Sequence, residues 1–300
     1  MAGIRLNWSH YGSFDSFEVM RSNNAMSDDS LPSPIVEGLQ KMTYLDTDVV
    51  AGATYYYRVA VLNQGVRAVS QDIVAIAAEV DIHRANVHAL LYLNNSVLEE
   101  QSQTLFSNYG SAGFVDSQFG KSLLLPGSKW LKDTRGGAAA SLSGTSFTVE
   151  LFAKQSTTNT LGGVVLSAGA GSSSSLSWWF AVNKTSLGLT QSINGSGGST
   201  NSGSMAIPPS IPSTVDRWVH YAITKDDAGL VRFFADGILL GSRAYPKTFN
   251  ASNTNLVIGR LDYNNYSYDF RGEVGPVRVT KGVVRYTEDF IPPGNFAGIR

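Results

Sequence analysis

A chain of 300 residues with 43% hydrophobic content is long enough to bury at least one sizeable core, and its length favours two domains over one. With 23 Lys plus Arg against 24 Asp plus Glu the formal charge is −1, so no overall field draws the chain to nucleic acid or to an anionic bilayer. The absence of cysteine excludes a disulfide framework, a thiolate metal site and a cysteine nucleophile, and a charged fraction of only 16% implies a neutral polar surface suited to sugar hydroxyls and repetitive assemblies. The N-terminal MAGIRLNWSHYGSF has no basic start followed by an apolar core, and no run approaches the ~18 apolar residues of a membrane span. The expectation is a soluble, not conventionally secreted protein without membrane insertion.

Short β-rich runs bounded by Gly, Asn, Asp and Pro recur along the chain, whereas amphipathic-helix spacing is almost absent, which predicts an all-β protein. Residues 1–80 contain IRLNW, SFEVMRS, TYYYRVAVLN and VSQDIVAIA, separated by polar segments such as SDDSLPSP. In TYYYRVAVLN the period of two puts Tyr55, Tyr57, Val59 and Val61 on one face, the expected core face, and Tyr56, Arg58 and Ala60 on the other. The stretch YLDTDVVAGATYYYRVAVLNQGVRAVS resembles the later half of bacterial and phage fibronectin type III domains, with Gly52 before the strand and Tyr55 at the tyrosine-corner position. Trp8 then matches the core tryptophan of the second strand. That alignment leaves no residues for a first strand, so the module is either an ordinary short sandwich or one that accepts a strand from a neighbouring chain.

A second region starts near Asp81, after which FGKSLLL, TSFTVELFAKQ, GGVVLSAG, LSWWFAVN, SLGLTQS, RWVHYAITKD, GLVRFFADGILLGSRA, NLVIGRLD and RGEVGPVRVTKGVVRY all read as strands. Asp236-Gly237, between VRFFA and ILL, is a hairpin signal, which makes Asp236 a turn residue rather than a catalyst. In this order the segments resemble the concanavalin A-like lectin and glucanase superfamily, especially its laminin G-like branch, over residues 87–297. FGKSLLLPG, FTVELFAK and WVHYAITKDDAGLVRFFADGILLGS carry the resemblance most specifically. The closing GEVGPVRVTKGVVRYTEDFIPP is similar to the ends of such domains in bacteriophage virion proteins. The expected architecture is therefore a short fibronectin type III-like sandwich over residues 1–80 followed by a concanavalin A-like jelly-roll sandwich over residues 81–300.

Glucanases of this superfamily carry Glu-x-Asp-x-x-Glu on one strand, so that nucleophile and acid face one cleft. No such strand occurs; the nearest string, Glu79 to Arg84, ends in Arg and falls in the linker. Glu150 and Glu273 stand alone, and solvent exposure or pairing with Lys and Arg is expected of both. His10, His83, His88 and His220 lack metal-site or triad spacing, and His220 in RWVHYAIT is expected to be a satisfied sheet histidine.

The segment Asp262, Tyr263, Asn264, Asn265, Tyr266, Ser267, Tyr268, Asp269 alternates aromatic rings with short polar groups over a predicted loop. It is a candidate glycan surface, because tyrosine offers a flat apolar face and a hydroxyl while Asp and Asn bond neighbouring hydroxyls. Packing of the tyrosines across a hairpin is the structural alternative. Asp262, Asn264 and Asp269 could also supply hard oxygens to a calcium ion, as laminin G-like domains often do, although no ligand motif is matched. Trp178 and Trp179 are adjacent on a strand, so one points inward and the other outward, a further contact for sugar or for a subunit interface. AGAGSSSS and NGSGGSTNSGS read as polar loops.

The expected function is a non-enzymatic phage virion structural protein: a capsid decoration, head or tail fibre, or tail-associated adhesion protein with weak glycan binding and no resident cofactor. Its expected partners are capsid or tail subunits and cell-surface glycan, in a homo-oligomer placed on a virion assembled in the host cytoplasm. A polysaccharide hydrolase and a cellular surface carbohydrate-binding module are the alternatives.

Overall fold

The computed structural model describes residues 2–50, 52–79, 81, 83–100, 104–134, 140–142, 144, 146–158, 163–168, 178–193, 198–245, 255–263, 266–294 and 296. All regular structure among them is β, apart from one 3-10 turn at Arg84–Asn86. No helix among the described residues is long and apolar enough to cross a membrane. Residues up to Arg84 form one compact unit and Ala85–Phe296 a second.

The first unit contains β1 (Ala2–Asn7), β2 (Ser16–Ser22), β3 (Pro34–Leu39), β4 (Thr43–Asp46), β5 (Thr54–Asn63), β6 (Val66–Val69), β7 (Ile73–Ile76) and β8 (Ala78–Glu79). Two sheets, β4-β1-β8 and β3-β2-β5-β6 with β7 also on β5, enclose Ile4, Leu6, Phe17, Val19, Tyr55, Tyr57 and Val59. The period-two reading of β5 thus holds, and the Tyr55 hydroxyl accepts the Val50 N–H at 3.0 Å, the upstream backbone bond of a tyrosine corner. The opposite face is covered too: Arg58 is buried, donating to Asp72 at 2.6 Å and to the Met26 carbonyl at 2.6 Å, and pairing with Asp28. On the flank of β1 away from β4 lies β8, with Ala2 opposite Glu79 and Gly3 opposite Ala78. The chain's own later segment therefore pairs with that flank of β1.

The second unit opens with β9 (Val87–Leu91), β10 (Leu98–Glu99), β11 (Thr104–Leu105), β12 (Ser107–Tyr109), β13 (Gly113–Ser117), β14 (Gly120–Leu125) and β15 (Trp130–Lys132). It continues through β16 (Phe147–Gln155), β17 (Gly163–Ala168), β18 (Trp178–Val182), β19 (Ser186–Ile193), β20 (Gly198–Ala206) and β21 (Trp218–Lys225). It closes with β22 (Leu230–Ala235), β23 (Ile238–Ala244), β24 (Leu256–Ile258), β25 (Asp262–Tyr263), β26 (Tyr266–Ser267) and β27 (Gly272–Lys281). One sheet runs β11-β10-β9-β27-β16-β21-β22-β23, with β14 also on β27 and β13 on β14. The other runs β12-β15-β24-β17-β18-β19-β20. The two inner faces share one core that includes Leu123, Leu151, Phe147, Trp178, Phe180, Tyr221, Phe233 and Val277.

One expectation changes here. Gly198–Ser204 of the stretch read as a polar loop belongs to β20, which runs on to Ala206 and is paired along β19. The other polar stretch, AGAGSSSS, lies almost entirely outside the described residues. Strand β16 is buried on both faces, because the chain after Lys281 returns across the outer face of its sheet: Arg285 N–H bonds Thr148 Oγ1 at 2.9 Å, and Thr224 Oγ1 bonds the Tyr286 carbonyl at 3.1 Å.

Candidate functional site

Strand alternation decides which aromatics reach the outer face of the second, seven-stranded sheet. Along β18, Trp178, Phe180 and Val182 point into the core while Trp179 and Ala181 point out. Trp178 is fully buried and its indole N–H donates to the Ala140 carbonyl at 2.7 Å, so of the tryptophan pair only the half-buried Trp179 can meet a ligand. Trp179 packs with Val164 and Leu261, and Leu261 is the residue from which the tyrosine segment springs.

That segment is a hairpin, with Asp262 opposite Ser267 and Tyr263 opposite Tyr266. Asn264 and Asn265, and the side chains of Asp262, Tyr263 and Tyr266, lie outside the described residues. The base of the hairpin is tied by backbone bonds from Tyr268 to Leu261 (3.1 Å), from Phe270 to Gly259 (2.9 Å) and from Val164 to Tyr268 (3.4 Å). Tyr268 is 43% exposed. Asp269 faces the protein instead: Oδ2 accepts the Ser128 N–H at 3.0 Å, and Oδ1 lies 3.5 Å from Arg260 Nε. Of the three calcium-ligand candidates, Asp269 is therefore engaged by a cation and an amide, and the described residues hold no cluster of three or more His, Asp or Glu fit for a metal.

Three residues missed in the sequence complete the surface. The Arg260 guanidinium sits 4.1 Å from the Trp130 ring centroid, and Trp130 stacks on Tyr109 with centroids 5.1 Å apart and planes 3° apart. Trp130 and Tyr109 are directly opposed on β15 and β12, and Tyr109 is 41% exposed. The alternation in WLK, with Leu131 in the core, signals an outward Trp130; its partnership with residues 21 and 130 positions away does not show in the chain.

A sequence profile of the concanavalin A-like lectin/glucanases superfamily matches residues 134–288, half of the chain. The chain belongs to that superfamily. Comparison of this superfamily member with curated protein sequences returned no match. Among solved structures it is similar to domain 4 of an extracellular arabinanase from Geobacillus stearothermophilus, in complex with arabinotriose, at 17% identity and TM-score 0.49, over 66% of this chain and 93% of that one. It is also similar to the binding domain of Paraclostridial mosquitocidal protein 1 (12%, TM-score 0.44, 66% and 48%) and to that of botulinum neurotoxin DC in complex with rat synaptotagmin II (10%, TM-score 0.49, 66% and 48%). The chain spans about half the length of those two toxin domains.

Three carboxylates of this lectin-like sandwich, Glu150, Glu273 and Asp236, are engaged within the fold. Glu150, for which solvent exposure was one expectation, is fully buried: its oxygens accept Arg278 Nε at 2.8 Å and the Tyr286 hydroxyl at 2.9 Å, and one lies 3.0 Å from His220 Nε2. Burial alone would raise its pKa, but Arg278 and His220 outweigh burial and hold the carboxyl well below its ordinary 4.5. His220 is a buried sheet histidine whose Nδ1 has no hydrogen-bond partner. Glu273 pairs with Lys154 at 2.9 Å and accepts Ser122 Oγ at 3.0 Å. Asp236 occupies the β22–β23 turn, accepting the His220 N–H at 3.0 Å and pairing with Arg217 at 2.6 Å.

Proposed function

We propose that this protein is a non-enzymatic attachment component of a bacteriophage particle, which contacts glycan through the tyrosine hairpin and Trp179 on the outer face of its lectin-like sandwich. The carrying observation is Tyr268, whose ring stays 43% exposed on a hairpin with a tied base, beside an Asp and near an outward tryptophan. A ring so held presents a flat face to sugar C–H groups and a hydroxyl to sugar oxygens. Hydrolysis would need two carboxylates facing one open cleft. Glu150 is instead buried and bound to Arg278, and Glu273 to Lys154, which supports binding without catalysis.

The resemblance of the closing segment to phage virion proteins supports a place on a particle, with capsid or tail subunits as partners and the first unit as a fibronectin type III-like docking module. Weak single-site sugar affinity becomes useful when many copies engage one surface, so a homo-oligomer fits this role. The test is a glycan array probed with the full chain, with and without calcium, beside Tyr266→Ala/Tyr268→Ala and Trp179→Ala variants. Binding at least tenfold weaker in both variants supports the reading; no binding by the unaltered chain leaves a purely structural decoration.

A further inference from the structure

We infer that the glycan is an oligosaccharide and that Tyr109, at the edge of the same sheet, is its second contact; this rests on the glycan reading of the hairpin. Tyr109 lies on the edge strand β12 and would be free to turn were it not backed by Trp130, whose ring plane is 3° from its own. Trp130 is in turn fixed by Arg260 at 4.1 Å, and Arg260 by Asp269 at 3.5 Å, the residue next to Tyr268. The column Tyr109, Trp130, Arg260, Asp269 therefore ends at the hairpin.

The backbone beneath Tyr109 is fixed as well. Asn108 bonds Ala112 in both directions, at 2.9 and 2.8 Å, and Lys129 Nζ donates to the Ser111 carbonyl at 3.0 Å. A ring 41% open to solvent, yet locked in one plane, loses little freedom when a ligand lies on it. That is the property of a stacking platform rather than of a core side chain.

From β12 to β18 the sheet order β12-β15-β24-β17-β18 crosses four strand spacings, placing Tyr109 about 19 Å from the Trp179 strand. One sugar ring cannot touch both. The ligand class that fits is a chain of several sugars lying across the strands, with aromatic contacts at its two ends.

The experiment is calorimetric titration of the full chain with a length series, monosaccharide to hexasaccharide, of the sugar selected by the array. Affinity is expected to rise with length. Tyr109→Ala and Tyr109→Leu should each remove that rise, weakening the longest ligand at least tenfold while the monosaccharide changes less than twofold; Tyr109→Phe should preserve it. Tyr268→Ala should weaken every length. Affinity independent of length in the unaltered chain, or an equal loss at all lengths in the Tyr109 variants, overturns the second contact and leaves the hairpin site standing. No binding at any length overturns both.

Discussion

Glu150 stands on a strand whose outer side a simple sandwich would leave wet, and its carboxylate is instead closed in by Arg278, His220 and Tyr286. Replacing the carboxylate leaves the buried Arg278 cation without its Glu150 counter-charge, so Glu150→Gln should lower stability by about 3–5 kcal/mol, read from the denaturant midpoint. Because the folded-state pKa lies below the ordinary 4.5, the ionised carboxylate stabilises the fold fully above that pH, and this contribution drains away as pH falls beneath it. Acid unfolding of the wild type should therefore steepen below pH 4.5, and Glu150→Gln should lack that component. Trp179→Ala, by contrast, should change stability far less than Trp178→Ala, which empties a core site and orphans the Ala140 carbonyl at a cost of about 3–5 kcal/mol. The opposite orientations of those two tryptophans are legible in the sequence because a strand alternates every residue. The burial of Glu150 is not, because Tyr286, which closes over it, lies 136 positions away.

At the scale of elements, the β22–β23 hairpin illustrates a local signal with a distant consequence. Asp236 and Gly237 both adopt positive φ, 49° and 77°, as a tight Asp-Gly turn requires. Gly237 has a second duty: its carbonyl accepts the Phe290 N–H at 2.9 Å, and a Cβ there would overlap the Phe290 carbonyl. Gly237→Ala should cost about 1–3 kcal/mol and accelerate hydrogen exchange at the Phe290 and Leu239 amides, the latter held by Asp289 at 2.8 Å; unchanged exchange there would refute the coupling. The turn is visible in the sequence, but its use as a dock for the closing segment is not. Strand β20 escapes sequence reading for another reason. GSTNSGSMA has neither apolar alternation nor β-branched density, and it is a strand because the edge of β19 offers backbone groups that it pairs.

At the scale of the whole molecule, burial pushes Tyr57 and Tyr286 well above their ordinary 10.0, and Tyr221 up to about 12. Burial is the main cause in each, joined by Asp46 for Tyr57 and by Glu150 for Tyr286. Their contribution to stability is complete below pH 10 and is lost as pH rises through the folded-state values, so an absorbance titration should show these rings ionising only with unfolding. The superfamily is legible from the order of the strand segments, whereas the column from Tyr109 to Asp269 joins four separate stretches of chain that only the fold assembles. The lectin-like sandwich also has a particular response to tension. Val87, where its first strand begins, lies opposite Thr280, near where its last long strand ends. Force applied at those two points would pull across the ladder and part its bonds one after another, like a zipper, instead of shearing them together. When the pull acts instead at Val87 and Phe296, the segment after Lys281 joins the load path, and because it is pinned through Val283, Arg285 and Phe290 it must peel away before the zipper can start. Under a steady pull the first yielding event should therefore be release of residues 283–296, and removing the Phe290 anchor should lower the force at which the sandwich gives way.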